Sequence, residues 1–438
     1  MSTPPPPESP SDGLPTASTG ELLAPTDVGG GLETPRKINW RVAIAITLGG
    51  MLWIAPYIGT LSVLLPSLVA RVAPDDKVQI VAVLTISGAV LSLVTNIILG
   101  ALSDATRTRI GPRAPWIIGG AAVGAVALYL LSTATAVSML ILWWCVYMVG
   151  LNAIIAPMVA VISDDVPAKH RGTVSAMYGV GMLIGATGAV IVAAQFVADP
   201  SAGLRIFAVC TALSAVVFVA FRPLTSNVNA DRVKVSFKEL ARTFRPPTTG
   251  ARDFYFALSG KFALVAGTYA ITNYQFYILT DYIKLGESEI STIIAIGGGI
   301  TLVTGLVFGL VSGSLSDRLG RRKPFVIGAA VLVAIGTMFP LIAPFGWAML
   351  VAATFSGIGN GAYQAVDQAL NVDVLPNPES AAKDLGILNV ANSGGQILGP
   401  VVMSTLVTIT GGYQTGFFAA GLLVIISAFL IMLIRSVR

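Results

Sequence analysis

Two ionisable residues fall where the surrounding sequence offers them no water. Lys261 and Asp367 sit inside long apolar runs, eight residues after Asp253 and six before Asp373. At 1.5 Å per residue these offsets put the ammonium about 12 Å and the carboxylate about 9 Å in from the same end of two helices, so a pair between them is geometrically natural. Charge inside an apolar span is costly and marks solute or ion pathways, and a carboxylate there can bind and release a proton. Removing either partner would leave the other uncompensated, although a static strut between helices is the competing role.

Polar side chains follow the same faces. At 100° per residue Thr268, Thr272 and Gln275 fall with Lys261, and Ser356, Asn360, Tyr363, Gln364 and Asn371 fall with Asp367. Asn389, Asn392, Ser393 and Gln396 form a third stripe. Lipid does not tolerate such stripes, so they read as the wall of a hydrated cavity. Hydroxyls and amides at this density suit a polyhydroxylated solute held by paired donors and acceptors. Trp53 and Tyr57 share a face with Thr60 and could stack on a sugar ring, with plain packing as the alternative. Asp281 reads as a solvated residue at a span end, and the single histidine, His170, as an exposed loop residue.

Other chemistries lack their parts. One histidine and two cysteines, Cys145 and Cys210, both within apolar spans, assemble neither a metal set nor a nucleophile–base pair. No phosphate-cradling Gly-x4-Gly-Lys-Ser/Thr run is present. The chain therefore reads as neither an enzyme nor an ATP-driven pump, and no cofactor is expected.

The elements that must position these residues are membrane helices. Of 438 residues 54% are hydrophobic and 11% charged, with mean hydropathy +0.79, against a charged fraction of about 25% in soluble proteins. Twelve stretches are long and apolar enough to span: 42–70, 78–102, 115–134, 137–162, 174–198, 204–221, 254–281, 289–312, 325–343, 346–371, 386–410 and 413–434. The fold class is thus an all-α membrane protein of twelve transmembrane helices in two pseudo-symmetric six-helix bundles. With the amino terminus inside, 22 of the 27 lysines and arginines fall on the cytoplasmic side, which places both termini there, in a plasma (inner) membrane protein. The +5 charge then reports topology, and no nucleic-acid partner is expected. Residues 1–37 are Pro-rich and read as a disordered cytoplasmic tail. The bundles occupy 38–222 and 253–438, and the basic, proline-broken segment 223–252 links them, with 235–244 able to form a surface helix.

One turn is written twice. Gly100-Ala101-Leu102-Ser103-Asp104 recurs as Gly313-Ser314-Leu315-Ser316-Asp317, each copy followed by a basic turn and a proline. Internal repeats of this kind belong to secondary transporters. Asp104 and Asp317 lie at helix carboxyl ends, where the helix dipole disfavours an anion, so each needs a cation or the amino end of another helix. Arg107, Arg109 and Arg113, and Arg318, Arg321 and Arg322, are at hand. The turns read as gating latches that stabilise one state of the carrier.

Gly313-x-x-x-Asp317-Arg318-x-Gly320-Arg321-Arg322 resembles the loop signature of the major facilitator superfamily. The longer first copy, from Ser103 to Trp116, looks like that of the glycoside and sucrose symporter branch. Val366 to Pro376 and Ala381 to Gly386 are similar to that branch as well. The resemblance implies cavity-lining spans 1, 4, 7 and 10. It also implies that Asp104 approaches the start of span 11 near Gly386, and Asp317 the start of span 5 near Gly172. Sodium-coupled carriers of the branch hold two carboxylates at positions matching Ser92 and Asn96, both neutral here, which argues against sodium. The leading expectation is a monomeric, proton-coupled symporter of a sugar or glycoside, in contact with small-molecule solute, protons and membrane lipids. A proton antiporter exporting amphipathic drugs or metabolites, and a non-transporting sensor, are its rivals.

Overall fold

The computed structural model describes residues 39–224, 226–228, 247, 251–375 and 381–435. The tail over 1–37 and the surface helix expected over 235–244 lie outside them. Peptide groups in hydrocarbon must be paired within their own segment, so each apolar run closes into a helix. The helices are α1 Trp40–Val72, α2 Lys77–Ala105, α3 Ala114–Leu131, α4 Val137–Asp165, α5 Ala168–Ala194, α6 Pro200–Phe221, α7 Arg252–Thr272, α8 Glu287–Leu319, α9 Lys323–Ile342, α10 Gly346–Asp373, α11 Ala381–Thr410 and α12 Gln414–Met432. Ten of these have the length and hydropathy of a membrane span. The long helices α10 and α11, of 28 and 30 residues, complete the twelve.

Local signals set the helix ends. Pro115, Pro200 and Pro324 occupy first turns, where the missing N–H costs nothing. Asp199 caps α6 by accepting from the Ala202 N–H at 3.1 Å. Gly320 ends α8 with φ 60°, a left-handed conformation that glycine adopts without strain. His170, expected in a loop, instead belongs to the first turn of α5 and is half-buried. Pro167, just ahead, starts the helix earlier than the apolar pattern does.

Packing repeats with the sequence. In the first half α1 packs on α5 and α6, α3 on α4 and α6, and α2 on α4. Adding six to every label gives the second half: α7 on α11 and α12, α9 on α10 and α12, and α8 on α10. The main contacts between the halves, α2 with α11 and α5 with α8, exchange under the same operation. This is the arrangement of two pseudo-symmetric bundles. Small residues let the helices approach: a Cβ placed on Gly361 of α10 would collide with the backbone of Gly305 of α8.

Two irregularities also repeat. A π-helical turn, Thr60–Leu64, interrupts α1, and another, Ile278–Tyr282, ends the segment that follows α7. Span 7 was expected to be unbroken over 254–281, but α7 stops at Thr272 and resumes as a short turn, Gln275–Tyr277. Asparagine is a weak helix former, and beyond Asn273 tertiary bonds take over. Tyr274 donates to the Val78 carbonyl at 2.9 Å and Tyr277 to that of Pro66 at 2.9 Å.

Candidate functional site

Lys261 of α7 and Asp367 of α10 are 5% and 1% exposed, and Nζ donates to Oδ2 at 2.7 Å. Asn371, one turn along α10, donates its Nδ2 to the same oxygen at 2.8 Å. Tyr363, one turn back, sets its hydroxyl against the carboxylate. A cation, an amide and a phenol thus hold one carboxylate in an apolar setting. The charges compensate each other, and removing either would leave the other uncompensated.

Seven residues from the pair, on the same helix faces, lie Thr268 and Asn360. Both line a cavity of about 240 Å³ between the halves. Ile58 of α1 and Thr187 of α5 close it from the first half; Gln275, Thr301 of α8, Thr337 of α9 and Ser356 close it from the second. Among the described lining residues none is charged. Several donors are already committed: Asn360 Nδ2 to the Ser356 carbonyl at 2.9 Å, and the Thr272 hydroxyl to that of Thr268 at 3.0 Å.

The structure brings some of the expected site residues together and leaves others apart. Gln275 and Asn360 line the cavity and Tyr363 meets the ion pair. Gln364 is exposed; Asn392 and Gln396 are half-buried on α11, and the Asn389 side chain lies outside the described set. Trp53 is buried, and Tyr57 stacks on Trp144 with ring centroids 6.5 Å apart, while Trp144 donates to the Leu84 carbonyl at 2.9 Å. Thr301 and Thr337 were missed because both lie in largely apolar runs, Thr301 with only Thr304 beside it.

A second cleft of about 310 Å³ runs between α2 and α4 on one side and Gly386, Val390 and Ser393 of α11 on the other. Within it Asn152 Oδ1 accepts from Ser92 at 3.1 Å and Asn96 at 3.3 Å, and Asn152 Nδ2 donates to the Met148 carbonyl at 2.8 Å. A neutral network therefore joins Ser92, Asn96 and Asn152.

Ion pairs within each half gather at the end of the bundle that carries the basic turns. Arg113 binds Asp104, Asp164 at 2.8 Å and Ser103 at 3.0 Å. Burial works against its charge, but hydrogen bonds to the Asp164 and Asp104 carboxylates outweigh it and hold the guanidinium above its ordinary pKa. The second half repeats the pairing as Arg322 with Asp373 at 2.5 Å. Arg222 adds a two-pronged bond to Asp165 at 2.5 and 3.2 Å. Asp164 and Asp165 were overlooked, although carboxylates at a helix carboxyl end call for cations as Asp104 does. Arg107 donates to the carbonyls of Asp104 and Thr106 at 2.8 and 3.0 Å, while Arg109, Asp317, Arg318 and Arg321 are exposed. A Cβ on Gly386 or Gly172, the glycines toward which Asp104 and Asp317 are expected to point, would meet nothing within 4 Å.

At the opposite end the halves are tied together: Lys77 binds Asp281 at 2.8 Å, Gln79 donates to Thr408 at 3.1 Å, and Arg71 faces Glu287 at 3.7 Å. Asp281 also accepts from Tyr413 at 3.2 Å, so it is a bridging residue and not a merely solvated one. Its partner comes from the other half, which no local sequence pattern announces.

A sequence model of the Major Facilitator Superfamily matches residues 43–301 and 256–438. The multidrug transporter mfsC of Aspergillus fumigatus is 33% identical over 25% of this chain and 21% of its own length. A putative tartrate transporter of Agrobacterium vitis is 28% identical over 40% of this chain and 38% of its own. The chain thus matches well under half the length of either relative. The crystal structure of the nucleoside transporter NupG superposes with a TM-score of 0.69 at 17% identity, covering 90% of this chain and 98% of that one; a likeness at that identity speaks for the fold alone. Matched over almost all of its helices, this chain belongs to the major facilitator superfamily, a family of membrane transporters and not of enzymes.

Proposed function

We propose that the protein is a secondary active transporter that moves a small polar solute, a sugar or glycoside, by alternating access, in symport with protons. One observation carries this reading: a neutral polar cavity between the halves, with the buried Lys261–Asp367 pair on the same faces of α7 and α10. Asp367 is the proton-responsive group, and taking up a proton would weaken its bond to Lys261. The membrane potential supplies about 2.3 kcal/mol per charge per 100 mV, so one proton per solute sustains more than tenfold accumulation once a pH gradient adds to it.

The basic residues put the basic end and both termini in the cytoplasm of a plasma-membrane protein. The halves are then the segments 38–222 and 253–438 joined by 223–252, and the Lys77–Asp281 bridge lies at the outer end. Asp104, Asp317 and their arginines latch the cytoplasmic side when the cycle reverses. The motifs around Asp104 and Asp367 favour the glycoside and sucrose branch, and the neutral Ser92–Asn96–Asn152 network favours protons over sodium. The relatives' names, a multidrug and a putative tartrate transporter, set the competing solutes.

Counterflow of labelled sugars in proteoliposomes tests the reading. Sugar exchange is expected, with Asp367→Asn keeping exchange and losing gradient-driven accumulation. Accumulation unchanged in that variant would remove Asp367 from coupling. Drug-dependent proton release without sugar exchange would replace uptake by export, and solute binding without any counterflow would make the protein a sensor.

A further inference from the structure

We infer that the cavity takes an uncharged, hydroxyl-rich solute of monosaccharide size, and excludes carboxylates, lipophilic cations and larger glycosides; this deepens the transport reading and rests on it. Among the described residues that line the cavity none is ionisable, and the nearest charges on α7 and α10 already neutralise each other at 2.7 Å. Those charges lie one heptad from Thr268 and Asn360, about 10 Å along each helix. A carboxylate or ammonium in the cavity would be desolvated with no countercharge in reach, at several kcal/mol per ion.

The polar groups of the wall are neutral as well. The Thr272 hydroxyl donates to the Thr268 carbonyl at 3.0 Å and the Thr301 hydroxyl to that of Ala353 at 3.4 Å, so both offer the cavity lone pairs and no hydrogen. Asn360 commits one of its two amide hydrogens to the Ser356 carbonyl at 2.9 Å, which leaves one hydrogen to donate and its carbonyl oxygen to accept. The Thr268 hydroxyl has no hydrogen-bond partner among the described residues, and Gln275 adds an amide. A wall of neutral donors and acceptors suits hydroxyl groups, which serve as both without charge, and Ile58, Val190 and Met349 offer an apolar side to the carbon face of a ring.

Size narrows the choice further. The cavity of about 240 Å³ falls below the approximately 300–1,000 Å³ of sites for drug-sized ligands, which favours a five- or six-carbon polyol over a disaccharide.

The test is counterflow in proteoliposomes of the full-length protein with five labelled probes: D-xylose, D-glucose, sucrose, L-tartrate and tetraphenylphosphonium. Exchange of xylose or glucose, undiminished by excess sucrose or tartrate, is the expected result. Thr301→Val should raise the half-saturation concentration for that sugar roughly fivefold, the loss of one neutral hydrogen bond, while Thr301→Ser keeps it. Exchange of tartrate or the phosphonium with the monosaccharides inert would overturn the charge argument and leave transport standing. Sucrose exchanging as well as glucose would overturn the size argument alone. No exchange of any probe by protein that still melts cooperatively would overturn this inference and the transport reading together.

Discussion

Counted back from the π turns, Ala43 stands in α1 where Lys261 stands before the turn that follows α7. Counted back from the carboxylates that hold Arg113 and Arg322, Met158 stands in α4 where Asp367 stands in α10. All four residues are buried. The first half fills with an alanine and a methionine the positions that the second half gives to an ion pair, yet both bundles pack their helices in the same pairwise pattern. Packing of this fold therefore does not require a charge pair at that level. Since an ion pair of good geometry only about breaks even against apolar residues of similar size, its presence in one half points to work beyond cohesion. The first half keeps its polarity elsewhere, in the neutral cluster around Asn152.

Copying one half onto the other gives the largest effect. Asp367→Ala or Lys261→Ala alone should cost about 3–5 kcal/mol, because a buried charge is left uncompensated. The double change Lys261→Ala with Asp367→Met reproduces the first half and should restore most of that stability while accumulation stays lost. Unfolding midpoints in detergent, read beside uptake, check this; a double variant that still accumulates solute would show the pair to be a strut. Next, Asn152→Leu strands the Ser92 and Asn96 side chains and should cost about 1–3 kcal/mol, with coupling intact. Equal losses of accumulation from Asn152→Leu and Asp367→Asn would erase the contrast between the halves.

The repeated ion pairs sharpen the comparison at a smaller scale. Arg113 is nearly buried and holds two carboxylates, whereas Arg322 and Asp373 are 29% and 37% exposed at their side chains. Arg113→Met should cost about 1–3 kcal/mol and Arg322→Met at most about 1 kcal/mol. The order of the two melting temperatures decides it. Smallest in stability is Lys77→Ala, again at most about 1 kcal/mol, since its bond to Asp281 is partly solvated. Its effect should appear in conformation instead, as longer spin-label distances between α2 and α7 at that end.

Much of this was legible in the chain. Apolar run length gives the helices, the doubled Ser-Asp turn gives the two halves, and the offsets of Lys261 and Asp367 from their span ends give a shared depth, which the 2.7 Å contact matches. What stayed hidden depends on geometry that periodicity does not carry. The helical wheel treats span 7 as continuous, so it passes over the break at Asn273. Thr301 and Thr337 lie in largely apolar runs and form no long stripe, yet helix packing turns them into the cavity. The bridge from Lys77 to Asp281 spans residues 204 apart in sequence and exists only while the halves meet at that end.

The wide turns at Thr60–Leu64 and Ile278–Tyr282 each carry a hydrogen bond from residue i+5, Leu65 to Thr60 and Ile283 to Ile278. Tightening such a ring by one residue into ordinary α geometry would swivel the chain beyond it by about 100°. Asp281 sits inside the second ring, so that screw-like relaxation would carry its carboxylate off Lys77 without unwinding the membrane-buried part of the helix. Release of the bridge can thus be stored in the backbone itself, as one surplus residue per gatepost.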